Sequence, residues 1–150
     1  MPRGMVTAVV HASSAEVFAL LHDYARRLEW DTLLSEAYLV PRDSVAAVGS
    51  VAVCRGRRRL GGFALRTRYV TFRAPDVAAI KLVAPAPFFQ AFAASIRHVD
   101  LGPHSSRMEY RYYFSARPKF LRWLLEPVMN CVLRWETKRR LAALERFFEP

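Results

Sequence analysis

"LRWLLEPVMNCVLRWETKRRLAALERFFE", Leu121 to Glu149, is the stretch on which the fold turns. Its length and spacing predict one long helix, but its two halves differ. With a 3.6-residue period, Phe120, Leu124, Pro127, Val128, Cys131 and Trp135 fall on one stripe, and further apolar residues surround it. Beyond Trp135 the apolar positions move to Leu141, Leu144 and Phe148, with charges elsewhere, which is an ordinary packing helix. A first half that is apolar on several faces must be surrounded by protein or line a cavity. Pro127 either begins the main helix, with Pro118 opening a shorter turn before it, or sits inside one continuous kinked helix. In the second case its ring nitrogen cannot donate to the Trp123 carbonyl. A continuous kinked helix is expected, its first half bent over the open side of the sheet as a closing element.

The remainder of the chain must supply what this helix covers. With 150 residues, 53% hydrophobic and 13% aromatic, it has the length and composition of one domain with a substantial core. No apolar run is long enough to cross a bilayer. The first residues, "MPRGMVTAVV", hold Arg3 but only a brief apolar segment and no cleavage-like site, so no signal peptide is expected. Cys54 and Cys131 are too few for a disulfide framework and lack metal-ligand spacing, which suits a reduced, cytoplasmic protein. The net charge of +10 comes from 23 Lys and Arg against 13 Asp and Glu. All the basic residues except Lys81, Lys119 and Lys138 are arginines. A field of that sign favours anionic partners, although arginine-rich coding gives the same composition.

Met5–Val10 reads as a first strand. Ser13, with Glu16 three residues on, forms a capping-box signature, and two short helices are expected between there and Trp30. From Glu36 the period changes to alternation. Strands are expected over Glu36–Val40, Ser50–Arg59, Phe63–Phe72, Val77–Val83, Phe89–Val99 and Ser106–Ser115, separated by Gly- and Pro-containing turns. Short connections imply an antiparallel meander. In the last strand Met108, Tyr110, Tyr112 and Phe114 share one face, and Arg107, Glu109 and Arg111 the other.

The segment "VAVCRGRRRLGGFALRTRYVTF" (Val51–Phe72) defines a hairpin. With Gly61-Gly62 as a two-residue turn, Leu60 pairs with Phe63, Arg58 with Leu65, Gly56 with Thr67 and Cys54 with Tyr69. Arg55, Arg57, Arg59, Arg66 and Arg68 then share the outer face. A slip of one residue would turn charge into the core. Arg58 falls on the inner side, where it would guard a cavity mouth or snorkel to solvent.

Three stretches, "VHASSAEVFALLHDYARRLEWD" (Val10–Asp31), "RMEYRYYF" (Arg107–Phe114) and the closing helix, together with the strand order, resemble the helix-grip fold of the START-like superfamily. This superfamily is also called SRPBCC, and the likeness is to its polyketide cyclase/dehydrase-like group. The resemblance spans nearly the whole chain as one domain. It implies an α+β fold in which an antiparallel sheet of six or seven strands wraps around the long helix, leaving an apolar cavity. Family members bind lipids, sterols, quinones, polyketides and plant hormones, and a minority are catalysts.

On this reading Tyr69, Phe92, Tyr110, Tyr112, Val128, Cys131 and Trp135 line the ligand site and Trp30 stands near its entrance. Buried phenols need hydrogen-bond partners and can orient a ligand oxygen; as core aromatics with hydroxyls at the rim they would do nothing of the kind. Clustered arginines repel one another, so Arg55, Arg57, Arg59, Arg66 and Arg68 suit either docking on an anionic membrane surface or a solvated face. Without interleaved exposed aromatics, that face is poorly suited to nucleic acid. There is no phosphate loop, nucleophile elbow or metal spacing, and no cofactor or metal is expected. His11, His22, His98 and His104 are scattered and read as surface or satisfied histidines. Three functions stay open: a carrier of a hydrophobic small molecule, a polyketide cyclase or aromatase, and a basic interaction protein. Oligomeric state is not encoded in any feature of the sequence.

Overall fold

The computed structural model describes residues 2–58 and 62–150. Chain order is β1 (Arg3–Val10), α1 (Ser14–Leu21), α2 (Arg27–Trp30), β2 (Leu34–Val40), β3 (Val51–Gly56), β4 (Ala64–Arg73), β5 (Val77–Leu82), β6 (Phe89–Gly102), β7 (Ser105–Ala116) and α3 (Arg122–Phe147). The strands form one seven-stranded sheet in the order β1-β7-β6-β5-β4-β3-β2, with every neighbouring pair antiparallel. The long helix packs on one face of this sheet. This is the helix-grip arrangement expected from the sequence.

Local chemistry accounts for the element boundaries. The Ser13 side chain accepts the Glu16 N–H at 3.3 Å, satisfying a free donor at the start of α1. Pro118 precedes a 3₁₀ turn (Lys119–Leu121) that leads into α3, and α3 runs unbroken through Pro127. The tie between sheet and helix is double at this corner. Glu126 accepts the Ala116 N–H at 3.0 Å, and Arg122 donates to the Ala116 carbonyl at 2.7 Å.

The inner face of the sheet and the inner side of α3 form two apolar clusters. The larger joins Val6, Val10, Val17, Phe18, Met108, Leu141 and Leu144. The smaller joins Phe92, Ala94, Tyr112 and Phe114, with Met129 and Leu133 of α3 against it. Gly4 lies opposite Tyr112 on neighbouring strands, and a Cβ there would come within 2.5 Å of the phenol ring. Tyr112 cannot swing away freely, because its hydroxyl donates to Asn130 Oδ1 of α3 at 2.8 Å. Gly4→Ala is therefore expected to destabilise the fold by about 1–3 kcal/mol through overpacking. Urea unfolding checks this; an unchanged midpoint would show that the ring moves without resistance.

Two expectations need correction. The β3–β4 register pairs Cys54 with Leu65 and Arg55 with Ala64, not Cys54 with Tyr69, so the connection is a longer loop than the Gly61-Gly62 turn. The offset is even, which preserves the pleat: Arg55, Arg66 and Arg68 still occupy the outer face. Arg57, however, lies in the loop, donating to the Thr32 carbonyl at 2.6 Å. Arg58 is in the same loop and exposed, not on the inner side. Arg59 lies outside the described residues.

The second correction concerns the helix stripe. Phe120, Leu124, Val128 and Trp135 are each about half exposed or more, and Cys131 is exposed. A rigid helix has one rotational phase, and here the buried Leu141, Ala143 and Leu144 set it. Carried back at 3.6 residues per turn, that phase turns Thr137, Leu133 and Met129 inward and the predicted stripe outward, with Val128 at the edge of the inner side.

Candidate functional site

Between the two apolar clusters lies a cavity of about 330 Å³ bounded by α3, the inner sheet face and the α1–α2 segment. Its lining is apolar toward one end, where the exposed Phe63, Phe88 and Val128 mark the opening and Phe92, Met129 and Leu133 line the wall beside them. At the other end polar groups converge from distant parts of the chain: His22, Tyr24, Arg27, Tyr69, Tyr110, Glu136 and Arg140.

The centre of the polar end is Asp31. Its side chain is wholly inaccessible to solvent and its Oδ2 receives Arg27 Nε at 3.0 Å and Arg140 Nε at 2.9 Å. The Leu33 N–H donates to Oδ1 at 3.1 Å. Burial opposes the charge on this carboxylate, but Arg140 and then Arg27 overcome it and hold the group below the usual range. One buried anion thus serves two cations. Arg27 spends further bonding on the Leu21 carbonyl at 3.3 Å, and its guanidinium lies over the Trp30 ring at 4.9 Å. Arg140 makes no other bond among the described residues, leaving its terminal nitrogens as donors at the cavity wall.

Beside this pair runs a chain of phenols. The Tyr69 hydroxyl meets His22 Nδ1 at 2.7 Å and the Tyr24 hydroxyl at 2.9 Å. Burial pushes the Tyr69 and Tyr24 phenols up and the His22 imidazole down to about 3, so all three are neutral at pH 7. Tyr110 also lines the cavity; its phenol is pushed up by burial, and its hydroxyl has no partner among the described residues. The thiol of Cys54, at the same end, is raised by burial and is therefore a poor nucleophile.

Of the sequence-predicted site residues, Tyr69, Phe92, Tyr110, Tyr112 and Val128 line the cavity. Trp30, Cys131 and Trp135 do not. Trp30 is 3% exposed, packed in the larger core cluster rather than standing at an entrance. Trp135 points outward beneath Arg139, whose guanidinium lies 5.1 Å from its ring. Arg55 approaches Glu36 at 3.8 Å on the outer face, where both side chains are about half exposed. The sequence reading missed His22, Tyr24, Arg27, Asp31, Glu136 and Arg140. Arg27 and Asp31 had a usable signal in their i, i+4 spacing. Arg140, 109 residues from Asp31, had none. Among the described residues no cluster has the makings of a metal site.

The model of the family described as polyketide cyclase/dehydrase and lipid transport matches residues 1–149. No curated protein sequence matches significantly. Solved structures share the fold at low identity. A START superfamily protein from Mycobacterium smegmatis superposes with TM-score 0.81 at 13% identity, covering 97% of this chain and 96% of its own. The Zhui aromatase/cyclase from Streptomyces sp. R1128 gives 0.77 at 16%, covering 95% and 90%. Norcoclaurine synthase from Thalictrum flavum gives 0.71 at 9%, covering 97% and 85%.

Proposed function

The chain belongs to the polyketide cyclase/dehydrase and lipid transport family, and from that premise we propose that it holds a hydrophobic small molecule between the sheet and α3. The observation that carries the reading is the division of the cavity into an apolar end and a donor-rich end. Apolar surface taken from water supplies affinity at roughly 25 cal/mol per Å² before the costs of association. The unpartnered Arg140 nitrogens and Tyr110 hydroxyl favour a guest whose head accepts hydrogen bonds, because guanidinium only donates. A ketone or carboxylate on a lipid-like or polyketide-like body has that chemistry. Free Cys54 and Cys131 favour a reducing compartment, and no helix among the described residues is long and apolar enough to cross a membrane.

Calorimetry with decanoic acid, 2-decanone and decylamine tests this directly. The acid and ketone are expected to bind, and the amine, a donor head facing two arginines, at least tenfold more weakly. Losing a charge-assisted bond costs about 1.5–3 kcal/mol, so Arg140→Met should weaken decanoic acid by roughly 10- to 100-fold and Tyr110→Phe by less. Absence of binding by all three would remove the carrier reading. A cyclase is the second reading, favoured by the His22–Tyr69–Tyr24 hydrogen bonds within reach of a guest. There the Tyr69 hydroxyl would take the α-proton of a bound ketone as its own proton passes to His22 Nδ1, while Arg140 stabilised the enolate oxygen left behind. Under that reading Tyr69→Phe abolishes cyclisation of a poly-β-ketone thioester but leaves decanoic acid binding within a few-fold.

A further inference from the structure

Among the described residues, no element covers the stripe of α3 that turned outward. Phe120 is 76% exposed, Trp123 77%, Leu124 50%, Val128 59% and Trp135 47%. At the adjoining cavity opening Phe63 and Phe88 are also exposed, their rings 5.8 Å apart. Monomeric soluble proteins rarely present contiguous apolar surface of this kind without a partner. Its composition is that of an interfacial anchor: Trp and Phe at one end, then a basic collar of Arg134, Lys138 and Arg139 on the same helix side. Arg117 and Lys119, both exposed, flank it before the helix begins. The two acidic residues between Lys119 and Arg139 face away. Glu126 is spent on the Ala116 N–H, and Glu136 lines the cavity.

We propose that this face docks on an anionic phospholipid bilayer, with Phe120, Trp123 and Leu124 inserted among the headgroups and the basic collar against lipid phosphates. Charge decides between the candidate occupants. Two copies would bring like-charged collars together, whereas a surface carrying anionic lipid attracts each Lys and Arg near it. Docking so places the opening framed by Phe63, Phe88 and Val128 beside the bilayer. That this serves exchange of a guest rests on the carrier reading above; docking itself does not.

Co-sedimentation with vesicles of phosphatidylcholine alone, and with 30% phosphatidylglycerol, tests the proposal. Binding is expected to the mixed vesicles only, falling at least tenfold between 0.1 and 0.5 M salt as screening shortens. Tryptophan emission should shift to the blue on binding, since Trp123 and Trp135 are exposed while Trp30 is already buried. Phe120→Asp with Trp123→Asp should reduce vesicle binding at least tenfold, leaving the circular dichroism spectrum and the affinity for decanoic acid unchanged. Unaltered vesicle binding by that double variant overturns the proposal. So does binding lost only with Arg55→Ala, Arg66→Ala and Arg68→Ala, which would assign docking to the outer sheet face. Failure to bind mixed vesicles, or dimerisation in sedimentation velocity without vesicle uptake, overturns it equally. Loss of decanoic acid binding in wild type would strike the carrier reading alone.

Discussion

Asp31→Ala is expected to lower the melting temperature by about 10 °C, because removing one partner from a buried ion pair costs about 3–5 kcal/mol. The carboxylate is inaccessible and holds both Arg27 and Arg140, so its loss strands two cations in the protein interior. Asp31→Asn preserves volume and isolates the charge effect, and should come close to the alanine variant. The cycle with Arg140→Met gives a sharper comparison. Once Asp31 is gone, removing one stranded cation should recover part of the stability, so the two substitutions should not add. Additive losses, or a melting temperature within about 2 °C of wild type, would mean that solvent reaches the site and screens it.

Acid should weaken the fold through two buried histidines, His22 and His98. His22 is held down to about 3 by burial, then by Arg27 and His98. His98 is held down to about 4 by burial, with Asp76 pulling weakly the other way. Both native values lie below the ordinary histidine value of about 6.5, so between pH 6.5 and 4 the unfolded chain binds more protons than the native one. Stability from these groups is therefore full above pH 6.5 and lost as pH falls toward 4. With both histidines contributing, the slope approaches about 2.7 kcal/mol per pH unit near pH 5. Below that range Asp31, whose native value is also depressed, continues the loss. Urea midpoints at pH 7, 6, 5 and 4 measure the slope. His98→Leu should roughly halve it, whereas equal midpoints at pH 7 and 5 would show that the imidazoles charge without penalty.

The sheet was legible because a half-buried strand carries its own record. Alternation in Met108–Phe114 placed Tyr110 and Tyr112 inward without knowledge of any neighbour. The β3–β4 faces survived a wrong loop for the same reason, since a register error of even size leaves the pleat intact. Helix phase carries no such safeguard when several faces are apolar. Leu141 and Leu144 were read correctly as packing positions, but the first half was given its own stripe through Phe120, Leu124 and Trp135. The structure instead carries the phase of the end that packs on β1 and β7 back along the whole helix. The polar end of the cavity was hidden more deeply. An arginine from α3 meets a carboxylate after α2 only because the fold brings them together, and a scattered His22 acquires meaning only beside Tyr69.

Pro127 and Thr137 together divide α3 in a way its unbroken outline conceals. The first denies the Trp123 carbonyl its amide; the second turns its hydroxyl back onto the Leu133 carbonyl at 2.7 Å, a bond that loosens helices slightly. Between them lies the stretch that walls the cavity, held mainly by Met129, Leu133 and the Tyr112–Asn130 bond, while Leu141 and Leu144 anchor the rest in the core. The amides of the walling stretch can therefore open at a free energy well below that of global unfolding. For the guest proposed above, release would then follow fraying of about three helical turns and need not wait for global unfolding.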